Sequence, residues 1–274
     1  MCRSIFEAIP VYHLAKRRSI GPLAIAMTTP ETMSTSQDVP QQATARMEPW
    51  ALSHWPSHFR LWSVTVLGLV VDLWSKEWAF QTLRPGESKE LVSNLCSLQV
   101  SLNPGALFGI GAGFAPVFVG ASVLALMFVL YLFAHSTASR RSMHIALGLV
   151  LSGAIGNLYD RTTQSAHVLH FAHGGRFIGS LVDENDQSIT LGDFPSGARP
   201  QVFMRSSLAS NKIEPVVRDF IKIEAKVGSF SLWPWIFNVA DALLVVGVGL
   251  LLINFWSDRH DDDKSSLPAD LVGA

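Results

Sequence analysis

The chain has 274 residues, of which 49% are hydrophobic and only 16% charged, with a net charge of −1. A charged share well below the roughly 25% of an ordinary soluble domain points to lipid-facing segments. The near-neutral balance excludes a nucleic-acid surface, which needs a clustered basic face, and two cysteines, Cys2 and Cys96, are too few for a disulfide framework or a four-ligand zinc site.

Residues 1–60 are rich in Thr, Ser, Gln and Pro and show no helical or strand period. They are expected to form a disordered cytoplasmic extension. Met1, Met27, Met33 and Met47 are alternative starts, and Cys2 has no apolar segment before it that would mark it for lipidation.

Four apolar segments follow, each near the ~20 residues needed to cross lipid. They run over 61–78, 114–133, 143–159 and 235–256, the last bracketed by Trp235 and Trp256. The expected fold class is therefore an all-α membrane protein of four transmembrane helices with a small extracytoplasmic β-containing part. The short loop His135–Ser142 carries Arg140 and Arg141 and no acid, which places it and both termini in the cytoplasm.

Between the second pair of spans lies a soluble insertion at about 162–217, where "SITLGDFPSG" and "PQVFMRSS" alternate like short strands. Glu87–Ser101 reads as strand as well. The span-bearing core is 61–256, and 257–274 is a polar cytoplasmic tail.

An ionisable side chain inside a span is costly, so each one is a candidate for function. Asp72 lies in the first span, Asn103 precedes the second, Asn157 and Asp160 close the third, and Asn238 and Asp241 open the fourth. With the orientation above, all of them gather at the outer end of the bundle. Asn157 and Asp160 share a helical face, as do Asn238 and Asp241, and Asp72 can pair with Lys76 at i, i+4.

Two carboxylates held close cannot both ionise, so such a pair shares a proton and can activate water for peptide hydrolysis. On burial alone, Asp160 is as good a partner for Asp241 as any other acid.

"VVDLWSKEW" (70–78), "SLNPGALFGIG" (101–111), "SGAIGNLYDR" (152–161), "VRDFI" (217–221) and "FNVADALLVVG" (237–247) occur in this order. In these motifs the chain resembles the lipoprotein signal peptidase (signal peptidase II) family over about 61–256, apart from the insertion.

The resemblance implies a membrane aspartic endopeptidase of the bacterial inner membrane. Such an enzyme removes the signal peptide from diacylglyceryl-modified prolipoproteins near the extracytoplasmic face, and its partners are that substrate and membrane lipid. It implies a catalytic dyad of Asp219 and Asp241. Asp72, Asn103, Asn157, Asp160, Arg161 and Asn238 would bind substrate or support the site. Gly105 and Gly109 flank Phe108 in a loop that can approach substrate closely. No cofactor and no metal is implied. One chain holds the whole proposed site, so a monomer is expected.

The chain departs from the family pattern in placing Asp219 58 residues after Arg161. A competing D-F pair stands at Asp193–Phe194, in what reads as a turn. Arg161 beside Asp160 could also form a structural ion pair.

Three rivals are weaker. His167, His170 and His173 on a helix would suggest a metallopeptidase, but no H-E-x-x-H motif accompanies them. A transporter would spread its polar groups through the membrane and show repeated halves. A pure interaction protein would use the Asn and Asp side chains as interhelical glue.

Overall fold

The computed structural model describes residues 48–105, 115–228, 230–231 and 233–266. Most of the amino-terminal extension, together with Phe108 and Gly109, lies outside the described residues. A 3-10 turn, Ala51–Ser53, leads into helix α1, Trp55–Thr82, which starts on Pro56 in its first turn, where proline's fixed φ and missing N–H are tolerated. Pro85 and Gly86, the latter at φ +85°, turn the chain into strands β1 (Lys89–Val92) and β2 (Cys96–Asn103).

Helices α2 (Ala115–Ala134) and α3 (Arg141–Thr163) follow, joined by the short loop that carries Arg140. Five strands come next: β3 (Ser165–Phe171), β4 (Arg176–Glu184), β5 (Ser188–Asp193), β6 (Ala198–Met204) and β7 (Leu208–Pro215). Strand β8 (Val217–Ile223), the short β9 (Lys226–Val227) and β10 (Phe230–Ser231), and β11 (Ile236–Phe237) then lead into helix α4, Val239–Ser266.

The chain is thus not all-α. Two antiparallel sheets, ordered β1-β2-β8-β11 and β6-β5-β4-β3-β7, stand beside the helices, with β9 and β10 as a separate hairpin. The expectation of four spans is also overturned. Among the described residues only Arg141–Thr163 and Val239–Arg259 are long and apolar enough to cross a membrane, and the apolar stretch Val119–Ala134 of α2 is shorter. Helix α1 falls outside that set because Asp72, Lys76 and Glu77 crowd its second half.

The weak alternation noticed in the insertion is real sheet: "SITLGD" is β5 and "ARPQVFM" is β6, paired in antiparallel register with Ile189 opposite Phe203. Helix α4 extends past Trp256, and α1 begins before Leu61.

Helix α3 is the centre of the bundle and packs against α1, α2 and α4. Its contacts are close because small residues face its neighbours, as in membrane helix pairs. A Cβ at Gly153 would stand 2.4 Å from the Ala240 carbonyl oxygen, and one at Gly148 2.8 Å from the Leu61 oxygen. Leu61, Phe133, Leu147, Leu151 and Leu251 fill the core at the end away from the small four-stranded sheet.

At the other end, Ala79, Leu98, Val100 and Phe220 seat that sheet on α1. The sheet therefore caps the end of the bundle where α1 and α3 finish and α4 starts.

Gly153→Ala is expected to destabilise the protein by about 1–3 kcal/mol, since backbone rather than a flexible side chain occupies the space. Gly249→Ala, where a Cβ meets nothing within 4 Å, should be neutral or stabilising by up to about 1 kcal/mol. Thermal unfolding of both variants in detergent checks the contrast.

Candidate functional site

Strand β8 carries the pivotal pair. Successive strand side chains point to opposite faces, so Arg218 and Asp219 face apart, and both are buried, as are Val217 and Phe220. Arg218 turns to the end of α3. Its backbone N–H donates to Asp160 Oδ2 at 3.0 Å and its guanidinium to Asp160 Oδ1 at 2.9 Å, while Nη1 reaches Glu77 at 2.8 Å.

Asp160 also faces Lys76 Nζ at 3.3 Å, and Lys76 pairs with Asp72 at 2.8 Å. Lys76, Asp72 and Asp160 are completely buried, and Arg218 nearly so. Two cations thus meet two carboxylates, leaving the interior neutral. Asp72 Oδ1 in turn accepts from the backbone N–H of Ala240 at 2.8 Å, which ties α1 to the start of α4. Gly156 leaves room for this carboxylate: a Cβ there would sit 2.3 Å from Asp72 Oδ2.

Asp219 lies opposite Ser101 in the β2–β8 register. Its Oδ2 accepts from Asn103 Nδ2 at 3.1 Å and its Oδ1 from Asn238 Nδ2 at 2.6 Å. Asn238 is the residue before α4, and the "NVAD" spacing makes a reciprocal helix cap. Asp241 N–H donates to Asn238 Oδ1 at 3.0 Å, and Asn238 N–H donates to Asp241 Oδ2 at 3.2 Å.

Asp241 thus sits in the first helical turn, where the exposed N–H groups stabilise negative charge. Asn157 completes the cluster: Nδ2 donates to Asp241 Oδ1 at 2.7 Å, and Oδ1 accepts from Lys76 at 3.2 Å and from Asn238 at 3.2 Å. A single asparagine, Asn238, therefore bonds to both carboxylates.

Burial and, second, the neighbouring Asp241 charge push the Asp219 carboxyl up to about 8, against the opposing pull of its Asn238 and Asn103 donors. At neutral pH the Asp219 side chain therefore keeps its proton. A hollow of about 210 Å³ opens onto Asp219, Asn103 and Trp235.

The structure separates the two aspartates that sequence reasoning treated as equal partners for Asp241. Asp160 belongs to the Lys76–Arg218 charge network, and Asp219 to the Asn238 cluster. Asp193, of the competing D-F pair, closes β5 in an ion pair with Arg199 at 2.6 Å.

Arg161 Nη2 donates to the Gly105 carbonyl at 2.7 Å, and Gly105 N–H to Asn103 Oδ1 at 3.0 Å, so this end of the loop is fixed beside Asp219. Asn238 and Asp241 cap α4 rather than lying inside a span that starts at Trp235. The three histidines lie on β3 and the turn after it, not on a helix. His167 and His170 are three apart on a strand and face opposite ways, meeting Asn211 and Ser210.

Arg218 was missed. The available signal was a lone cation in "VVRDF", flanked by apolar residues, which can be buried only with an acid partner.

A consequence for stability follows. The folded-state value of Asp219 is raised from 3.8 to about 8, so its stabilising effect is full below about pH 4, falls between about 4 and 8, and is flat above. Asp219→Asn lacks this titration. It should gain stability over the parent by at most about 1.4 kcal/mol per pH unit across that window, read from unfolding temperatures at several pH values.

The profile of the signal peptidase (SPase) II family matches residues 64–257. A lipoprotein signal peptidase of Desulfitobacterium hafniense (strain DSM 10664 / DCB-2) is 29% identical over 180 residues, covering 66% of this chain and 82% of that protein. One from Shouchella clausii is 26% identical, covering 74% and 97%. Among solved structures, a bacterial membrane enzyme determined at 2.3 Å resolution by the in meso method aligns with a TM-score of 0.51 and 20% identity. It covers 78% of this chain and 94% of that one.

Proposed function

The chain belongs to the signal peptidase II family, a family of proteases, and from that premise we propose that it is an aspartic endopeptidase that cuts signal peptides from lipid-modified prolipoproteins. The observation that carries the reading is the Asn238 side chain, bonded to Asp219 and capping the helix turn that holds Asp241. It supports two carboxylates working as one unit.

Chemistry follows from their different surroundings. Asp241, at the helix start, takes a proton from water as the oxygen attacks the scissile carbonyl carbon. Asp219, protonated, passes its proton to the carbonyl oxygen, which becomes a hydroxyl of a neutral tetrahedral gem-diol intermediate. On collapse the C–N bond breaks, the amine leaves with the proton that Asp241 acquired, and the carbonyl returns its proton to Asp219. The donors Asn103, Asn157 and Asn238 hold the carboxyls in place throughout, so little reorganisation is needed at the moment of reaction.

The apolar exterior of the bundle supports a membrane setting. Val66, Leu67 and Trp74 on α1, Leu124, Met127 and Phe128 on α2, and Val245, Leu252 and Ile253 on α4 all stand in the open. An apolar surface this continuous is stable only against lipid or another apolar face. The reading is a multi-pass protein of the bacterial inner membrane, with Arg140, Arg141 and both termini cytoplasmic and the sheet-capped end outside. Buried polar groups then collect where the substrate's lipidated end leaves the hydrocarbon.

A synthetic lipidated precursor incubated with the purified full chain tests this. Asp219→Asn and Asp241→Asn should each lower cleavage by at least about 10²–10⁴-fold while the protein still folds and inserts. In the parent, kcat/KM should fall as pH rises above about 8, where Asp219 loses its proton. Parent-like activity in either variant, or a rate still climbing at pH 9, contradicts the reading.

A further inference from the structure

The insertion is not a detached appendage. Phe194, just after β5, meets Phe80 of α1 edge-on with ring centroids 6.2 Å apart. Arg199, paired with Asp193, also donates to the Pro85 carbonyl at 3.2 Å. These contacts seat the five-stranded sheet against the end of α1 and define a cleft of about 450 Å³ between them.

Its walls are mixed: Phe80 and Val100 on the core side and Phe177 and Ile178 on β4 are apolar, while Ser101, Gln201 and the Asp193–Arg199 pair are polar. The cleft runs into the smaller hollow on Asp219: Ser101, Leu102 and Arg176 line both. At that junction stands Arg176, the first residue of β4. It is exposed, and among the described residues no hydrogen bond or ion pair engages its guanidinium. The other arginine of the cleft, Arg199, is already occupied.

We propose that this cleft holds the extended segment of the substrate that follows the cut, and that Arg176 recognises an acidic side chain within it. This rests on the peptidase reading above. The direction follows from solvation. The signal segment is apolar and stays beside the helices, whereas the chain beyond the cut leaves the bilayer where the sheets stand. The volume is within the range of sites that hold a short ligand. Walls that mix apolar faces with polar groups accept alternate side chains of an extended chain at about 3.3 Å per residue. A single unengaged guanidinium supplies a charge-matched, directional contact, which confers specificity more than affinity. Arg176 is thus a specificity-determining residue, outside the group that performs the chemistry.

The test uses the full chain and lipidated peptides that differ only in the second and third residues beyond the cut, made as Asp, Asn or Lys versions. The parent should show the lowest KM for the Asp peptide, by about fivefold over Asn, with kcat little changed between them. Arg176→Gln should abolish that preference, and Arg176→Glu should turn it toward the Lys peptide.

A parent that cleaves all three peptides with equal KM overturns the inference while leaving the peptidase reading intact. Loss that is uniform across the peptides in both variants does the same. So does a KM that follows the anionic lipid content of the micelle instead of peptide charge, which assigns Arg176 to a headgroup. Absence of cleavage for every peptide refutes the peptidase reading itself, and the inference with it.

Discussion

Everything at the polar end of this molecule hangs on four charges that have no water around them. Lys76 and Arg218 face Asp72 and Asp160 at 2.8–3.3 Å, two cations against two carboxylates. Removing one partner from such a group strands a buried charge, at a cost of about 3–5 kcal/mol. The network joins α1, α3 and β8, and Asp72 adds the start of α4. What it fixes is position: β8 must lie where its next residue, Asp219, meets Asn238. The two carboxylates assigned to chemistry are held apart from the four charges assigned to structure, with Asn157 as the bridge between them through Lys76 and Asp241.

The division also explains the contrast between the acids. Asp72 and Asp160 each have a cation within reach, whereas Asp219 is buried with two amide donors and a like-charged neighbour. Burial first, and the Asp241 charge second, raise its proton affinity. A strand next to a helix cap produces this economically, since β8 presents Arg218 and Asp219 to opposite sides and the "NVAD" cap fixes Asp241 by local geometry alone.

The polar motifs were legible in the sequence because ionisable groups among apolar residues have few explanations, and the i, i+4 pairing of Asp72 with Lys76 is realised in the structure. The helical interior of the bundle was legible from hydropathy. The β content was under-read because strands that cap a bundle have short, weakly alternating sequences, and β8 is buried along its first four residues on both faces, which erases the period-two pattern. The role of Asp160 could not be separated from that of Asp219, since the separation depends on Arg218, a residue 58 positions further along the chain. The insertion's seat on α1 rests on Phe194 and Arg199, which carry no signal until Phe80 and Pro85 are placed beside them.

The central claim is that the buried charges act as one neutral unit which positions the site. A double-mutant cycle on Lys76→Met and Asp72→Asn, read by thermal unfolding in detergent, addresses it most directly. Each single change should be severe, and the double variant, neutral again around Arg218 and Asp160, should be more stable than Lys76→Met alone by about 1 kcal/mol or more. Losses that simply add would contradict it, because the two side chains would then be contributing independently.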